Sequence, residues 1–417
     1  MDEIRSTCRS CGSSELAPVL EFGEMPLADA LAPAGISGSG EERHQLSVVF
    51  CRDCCLVQIR ETVPPQVLFG EDYPYYSSFS DELLRHSREN VLQLIEARGL
   101  GPESLVVELA SNDGYLLKNF AEHGIPVLGI DPAPGPVKAA LAAGIPTMCE
   151  FFGSEMAQDL KRDGVKADVI IGNNVLAHVA DLNGFVAGIA TLLAPDGVVV
   201  IEAPYLRDLI DRCEFDTIYH EHHCYFSVSS VVPLFKRHGL TLNNVEHLPI
   251  HGGSLRYFAS FNPETGPNVT RYLEDEKAAG MTSYEYYHDF AERASRVKQR
   301  LIALLEDLKR NGKRIAAYGA AAKGATLLNF TGADDNLIDF VVDRNVHKQG
   351  LFMPGVRIPI RDPEELVSQM PDYALILAWN FKDEIMRQQE AYERLGGKWI
   401  VPIPQPSIVT TEKAGTA

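Results

Sequence analysis

SLVVELASNDGYLL, residues 104–117, decides how the rest of this chain is read. SLVVELA is a short apolar, β-branched run and reads as a strand. Glu108 closes it, and Ala110, Ser111, Asn112, Asp113 and Gly114 make a small, polar loop before a helical pattern. The same grammar then repeats. IPVLGID (125–131) is a second strand, with a helix around Val137–Ala143. ADVIIGNN (167–174) is a third strand, Leu182–Leu193 a helix, and GVVVIEAP (197–204) a fourth strand. This alternation predicts an α/β domain whose mostly parallel sheet binds ligands at the carboxyl ends of its strands.

Those strand ends carry the chemistry. Asp131 lies 23 residues after Glu108 and suits a ribose diol, because one carboxylate accepts hydrogen bonds from two hydroxyls. The dinucleotide fingerprint GxGxxG is absent, since Ala110 and Asn112 stand at glycine-type positions. A pyrophosphate needs the backbone very close, whereas S-adenosylmethionine has no phosphate and tolerates Ala, Ser and Asn there. The expected cofactor is therefore S-adenosylmethionine, held by Glu108, Ala110, Asn112, Asp113, Gly114, Asp131, Asn173 and Asn174, with His178 on the rim beyond.

Upstream, Cys8-Arg-Ser-Cys11 and Cys51-Arg-Asp-Cys54 are two CxxC pairs across a Gly/Pro/Ser-rich span. Each pair can form a knuckle, and two knuckles complete an all-thiolate tetrahedron of the kind structural zinc prefers; free thiols are the alternative. The span is longer than in compact zinc ribbons. A closed four-cysteine site has no open position, so its expected role is folding. The aromatic stretch PPQVLFGEDYPYYSSFSDE (64–82) contains Tyr73, Tyr75 and Tyr76, readable as interdomain packing or as a pocket wall, and a helical pattern follows over Asp81–Arg98.

A second α/β unit starts late. A long charged helix, about Tyr284–Asn311, feeds KRIAAYGAAAKGATLLNF (313–330), a strand, a small-residue loop and a helix. DNLIDFVVDRN (335–345), YALILAWNF (373–381) and KWIVPIP (398–404) supply further strands, and the tail after Pro404 is expected to fray. The Tyr318–Gly324 loop, with Gly319, Lys323 and then Asp343, suits either a substrate diphosphate or a plain cleft wall; Arg256 suits a phosphate contact or a salt bridge.

The chain of 417 residues has 38 basic and 57 acidic residues, a formal charge of -19, which opposes binding to nucleic acid. No run of 18 apolar residues exists and MDEIRSTC has no signal-like pattern, so no membrane role and a cytoplasmic location are expected. Without sustained heptads, a monomer or weak oligomer is expected.

TIYHEHHCYF (217–226) holds three histidines and a glutamate in consecutive positions. HExxH zinc spacing fails because position 224 is Cys, and the flanking residues favour extended or irregular backbone. A structural loop and a proton-carrying site remain.

The order of elements resembles class I S-adenosylmethionine-dependent methyltransferases. More narrowly, the paired knuckles, PLADAL (26–31), DYPYYSSFS (72–80), ELASNDGYLL (108–117), YHEHHCYF (219–226), HGGSLRYF (251–258), YGAAAKGATLLN (318–329) and DRNVHKQG (343–350) resemble the nucleotide-sugar C-methyltransferases of branched deoxysugar biosynthesis. That resemblance implies a nucleoside-diphosphate, usually thymidine-linked, 4-keto-deoxyhexose methylated at carbon 3. It implies His222 as base, Glu221 as its acidic companion, and Tyr219, Tyr73, Tyr76 and His178 lining the sugar; His220 and His223 have no separate role. The expected organisation is a zinc-binding four-cysteine domain (1–72), a Rossmann-like methyltransferase domain (73–265), a helical linker (266–311), a smaller Rossmann-like α/β domain that binds the sugar nucleotide (312–406) and a tail (407–417). Rival classes are an O- or N-methyltransferase, a nucleotide-sugar epimerase or oxidoreductase, and a zinc-containing scaffold.

Overall fold

Val106–Leu109, Val127–Asp131 and Ala167–Asn173 are runs of aliphatic residues short enough to be buried on both faces, and such runs pair in parallel beneath covering helices. They do so in the computed structural model, which describes residues 3–33, 41–70 and 74–410. The spatial order of the seven strands is Thr241–Leu248, Ser254–Ser260, Leu193–Pro204, Ala167–Asn173, Val106–Leu109, Val127–Asp131 and Thr147–Cys149. Strand order reverses beside Val106–Leu109, and the crevice at such a switch point is where an open α/β sheet takes its ligand.

Ser254–Ser260 is antiparallel to both of its neighbours, with Phe258 opposite Val200. Neither it nor Thr147–Cys149 stands out in the sequence. The latter is three residues long with Met148 and Cys149 exposed, so no apolar run marks it.

Helix Asp81–Arg98 has the bounds its sequence predicts. The Ser80 hydroxyl accepts from the Leu83 N–H at its start, Asp81 and Glu82 sit at the positive end of its dipole, and Gly99 ends it at φ 59°. Its buried face, Leu83, Val91 and Leu94, joins Val106, Leu116, Phe120, Val169 and Val200 in one core.

Contacts draw boundaries that linear order does not. One compact unit comprises Met1–Pro18, Val48–Arg207 and Glu221–Tyr287; the other comprises Val19–Ser47, Asp208–His220 and His288–Ala417. The five consecutive segments read from the sequence differ from this division most at residues 19–47. These fall between the two Cys pairs yet pack on C-terminal residues: the Phe22 and Phe330 rings lie 5.1 Å apart, and Ala32 bridges to Phe352. The long spacer between the knuckles thus belongs to the second unit.

That unit is a six-stranded sheet ordered Ile360–Arg361, Val341–Val342, Ile315–Tyr318, Tyr373–Ile376, Lys398–Val401 and Ser407–Val409. All pairs are parallel except the last. The expectation of a frayed tail after Pro404 is corrected here: Ser407–Val409 pairs with Trp399–Val401 as an edge strand, and 411–417 lie outside the described residues. Helix Phe290–Arg310 buries Phe290, Ala294, Val297, Leu301, Leu305 and Leu308, steps of four and three that make one apolar stripe. Among the described residues no helix is long and apolar enough to cross a membrane.

Candidate active site and metal centre

In the first unit, the polar loop predicted after Val106–Leu109 is built from left-handed backbone: Ala110 at φ 57°, Asn112 at φ 49° and Gly114 at φ 77°. Glycine is needed where this loop meets the next strand, because a Cβ on Gly129 would lie 2.5 Å from Ser111 Oγ. Asp131 pins the loop: its Oδ2 accepts from the Asn112 N–H at 2.9 Å and its Oδ1 from the Ala133 N–H at 2.8 Å. Each oxygen keeps a further lone pair for a ligand hydroxyl.

Around this loop several buried polar atoms have no protein partner: Glu108 Oε2, Ser111 Oγ, Asp113 Oδ1, both amide atoms of Asn173 and Asn174 Oδ1. Burial, reinforced by the Asp131 and Asp113 charges, raises the Glu108 carboxyl well above its usual range; burial also pushes Asp131 up to about 6. Unmet polar groups and crowded carboxylates cost free energy unless a ligand meets them. S-adenosylmethionine has an ammonium, a sulfonium and a ribose diol, and this donor set fits it.

The aromatic stretch ahead of helix Asp81–Arg98 is tied to the same loop. Asn112 Oδ1 accepts from the Ser77 N–H at 2.9 Å, Asn112 Nδ2 donates to the Tyr75 carbonyl at 3.2 Å, and Asp113 Oδ2 accepts from the Ser78 N–H at 3.2 Å. A Cβ on Gly135 would fall 2.7 Å from the Tyr76 hydroxyl, so that hydroxyl stands at the start of helix Pro134–Ala142. Tyr73 lies outside the described residues.

The histidine-rich stretch is irregular, as its composition predicts: a 3-10 turn at Phe215–Thr217, then a two-residue strand, Cys224–Tyr225, paired with Val57–Gln58. The His222 and His178 rings meet edge-to-face at 4.6 Å, and the His222 and Tyr225 rings lie 6.4 Å apart. Burial lowers His178 to about 4, against a backbone hydrogen bond with Glu221 that raises it, so it is neutral at neutral pH. Glu221 is buried. The His223 backbone N–H donates to the Ala177 carbonyl at 2.7 Å. Tyr219 and His220 fall in the second unit, where His220 Nε2 lies 3.0 Å from the Gln45 carbonyl.

Arg256 is engaged inside the first unit's sheet. Its Nε donates to Glu202 Oε1 at 2.7 Å, its Nη1 lies 3.6 Å from Glu246, and His86 Nε2 sits 2.9 Å from Glu202 Oε2. Despite desolvation, His86 and Arg256 hold the Glu202 carboxyl below its usual range. Sequence reading missed Glu202 and His86; a lone acid inside the apolar run VVVIEAP was the available signal. In the second unit, Asp343 accepts from the Ala320 and Asn345 N–H groups at 2.7 and 2.8 Å, and Gly319, at φ 93°, has no room for a Cβ beside Ala378.

The four cysteines meet. Their sulfurs all lie within 4.8 Å of one another, against about 3.8 Å in a tetrahedron of Zn–S bonds. Hydrogen bonding from Cys54 and Cys8 holds the Cys51 thiol down at about 2, while Cys8, through its hydrogen bond with Cys51, is pushed up to about 12. Four thiols this close cannot all ionise unless a cation joins them, and zinc fits.

A Rossmann-like sheet with this cradle and a four-cysteine centre defines an S-adenosylmethionine-dependent methyltransferase that carries structural zinc. Three family models match the chain: "Putative zinc binding domain" over residues 8–69, "Methyltransferase domain" over 80–245, and "C-methyltransferase C-terminal domain" over 249–404. The chain is 38% identical over 408 residues, 97% of either chain, to the C-methyltransferase NovU of Streptomyces niveus, and it belongs to this C-methyltransferase family. A ubiquinone biosynthesis O-methyltransferase from Azorhizobium caulinodans is 26% identical over 125 residues, 29% of this chain and 47% of that one. Magnesium protoporphyrin IX methyltransferase from Synechocystis, solved with S-adenosylmethionine, superposes with a TM-score of 0.33 at 18% identity, covering 43% of this chain and 81% of that one.

Proposed function

We propose that this C-methyltransferase acts at C3 of a nucleoside-diphosphate 4-keto-deoxyhexose, thymidine-linked in the first instance, with His222 as the base. The observation that supports it is the His222–His178 pair, a partly exposed imidazole against a neutral one. A saturated sugar carbon cannot accept a methyl group until it has lost a proton, and a C4 ketone acidifies C3–H because the electrons pass to the C4 oxygen as an enolate. His222 takes that proton and becomes imidazolium; a neutral His178 puts no like charge beside it, and the buried Glu221 next in sequence balances it. The hydroxyl of Tyr76 is the candidate donor to the enolate oxygen. Bound S-adenosylmethionine supplies an electrophilic methyl group. Glu108, Asp113 and Asp131 hold its cationic and hydroxyl groups, and the strap at Tyr75–Ser78 fixes the loop that does so. Zinc has no chemical part.

The test is mass spectrometry of a thymidine-linked 4-keto-deoxyhexose incubated with enzyme in deuterated water. Deuterium at C3 without cofactor, and one methyl group gained at C3 with it, are the expected results. Methyl gain on oxygen or nitrogen, or neither C3 exchange nor methyl gain at C3, would overturn the reading.

A further inference from the structure

A cluster in the second unit is used by neither the cofactor cradle nor the base. Glu214 and Asp216, 3% and 0% exposed, flank Phe215 on the Phe215–Thr217 turn. Asp216 Oδ2 accepts from Trp379 Nε1 at 2.6 Å. Lys323, in the first turn of helix Ala322–Thr331, donates to Asn380 Oδ1 at 2.8 Å, and its Nζ lies 4.7 Å from the centre of the Trp379 ring. The Lys323 charge bears on both carboxylates.

Three atoms are left over. Glu214 Oε1, Asp216 Oδ1 and Asn380 Nδ2 are buried without a hydrogen-bond partner, and Arg212 Nη1 stands 3.9 Å from Glu214 Oε1. Three unmet polar atoms around one lysine are costly in an empty fold and inexpensive in one that receives a ligand.

Their chemistry narrows the ligand. With Lys323 already facing Asp216 and Glu214, the cluster offers a phosphate no net positive charge, and the lysine opposes a metal cation. A flat base has no free stacking surface where the ammonium covers the Trp379 ring. Vicinal hydroxyls fit, because each donates to a carboxylate oxygen while its lone pairs accept from the Asn380 amide. Hydroxyls also suit the titration of the site. Burial pushes Glu214 up to about 8 and Asp216 up to about 6, and a hydroxyl accepts from a protonated carboxyl as readily as it donates to an ionised one.

We propose that Glu214, Asp216 and Asn380 form a subsite for a vicinal diol of the substrate, with Lys323 balancing the carboxylates instead of binding phosphate. The inference rests on the nucleotide-sugar reading above. In a nucleotide-sugar the hexose can carry a diol, and so can the ribose where the nucleoside is a ribonucleoside instead of thymidine.

Calorimetric titration of the full zinc-loaded chain separates them. UDP against dUDP isolates the ribose 2′-hydroxyl, and dTDP-glucose against dTDP adds the hexose with its hydroxyls, whose share the leucine variants then resolve. The expected result is that the diol-bearing member of one pair binds about tenfold tighter, and that Glu214→Leu and Asn380→Leu each abolish that gain. Unchanged S-adenosylmethionine affinity certifies that a variant is folded, and either variant suffices if the other fails that control. The subsite is overturned if neither pair differs in wild type, or if the gain survives in a folded variant. Absence of binding by all four nucleotides, with cofactor affinity intact, would sink the nucleotide-sugar reading itself, and the subsite with it.

Discussion

His222 is partly exposed and edge-on to a neutral His178, a setting in which an imidazole can take a proton and release it. His222→Asn keeps a polar planar group but removes the basic nitrogen. Steady-state assays should show turnover lower by about 10²–10⁴-fold, with cofactor affinity from calorimetry unchanged. Near-normal turnover would move the base elsewhere. Glu214 makes a different statement at this scale. Its carboxyl titrates near 8 in the fold, against an ordinary value of 4.5, chiefly through burial and in spite of Lys323. Between those values the folded chain keeps a proton that the unfolded chain has lost, so this contribution to stability is complete below about 4.5 and disappears as pH rises through about 8. Glu214→Gln cannot titrate. Its melting temperature relative to wild type should therefore rise between pH 5 and pH 8.5 in paired thermal melts; a constant difference would mean that Glu214 does not titrate there.

Elements were legible where local rules act alone. Helix Asp81–Arg98 carries its own start and stop signals, Ser80 and Gly99. Ser80→Ala removes the acceptor for the Leu83 N–H and should cost about 1 kcal/mol in denaturant unfolding. A loss near zero would show that another group caps the helix. The β-branched runs that open the central sheet were equally clear. The antiparallel strand Ser254–Ser260 was not, because direction is set by the partner strands Leu193–Pro204 and Thr241–Leu248 and not by its own residues. Among the candidate site residues, Asp131 and Asn173 were readable as strand ends. The Asn112 tie to Tyr75 and Ser77 was not, since it joins segments 35 and more residues apart.

At the scale of the whole molecule, the zinc centre draws Cys8 and Cys11 to Cys51 and Cys54 within one compact unit. Elemental analysis should find one zinc per chain. Cys11→Ser, or chelation during a thermal melt, should remove it and lower the melting temperature, because metal binding and folding are coupled. Methyl transfer by the folded, zinc-depleted chain at low temperature should survive; its loss would assign zinc a chemical role.

What the sequence determined by itself was local and periodic. The alternation of apolar runs and helical patterns set the α/β class, two CxxC spacings set a metal site, and a glycine-poor polar loop set the kind of cofactor. Those signals survive in sequence because each depends on residues a few positions apart. Only the tertiary structure decided that residues 19–47 belong with the C-terminal sheet, that Arg256 is bound to Glu202, and that Asp216 meets Trp379 across 163 positions. Burial, and whether a buried polar atom has a partner, are properties of contacts between distant segments, and no local pattern encodes them.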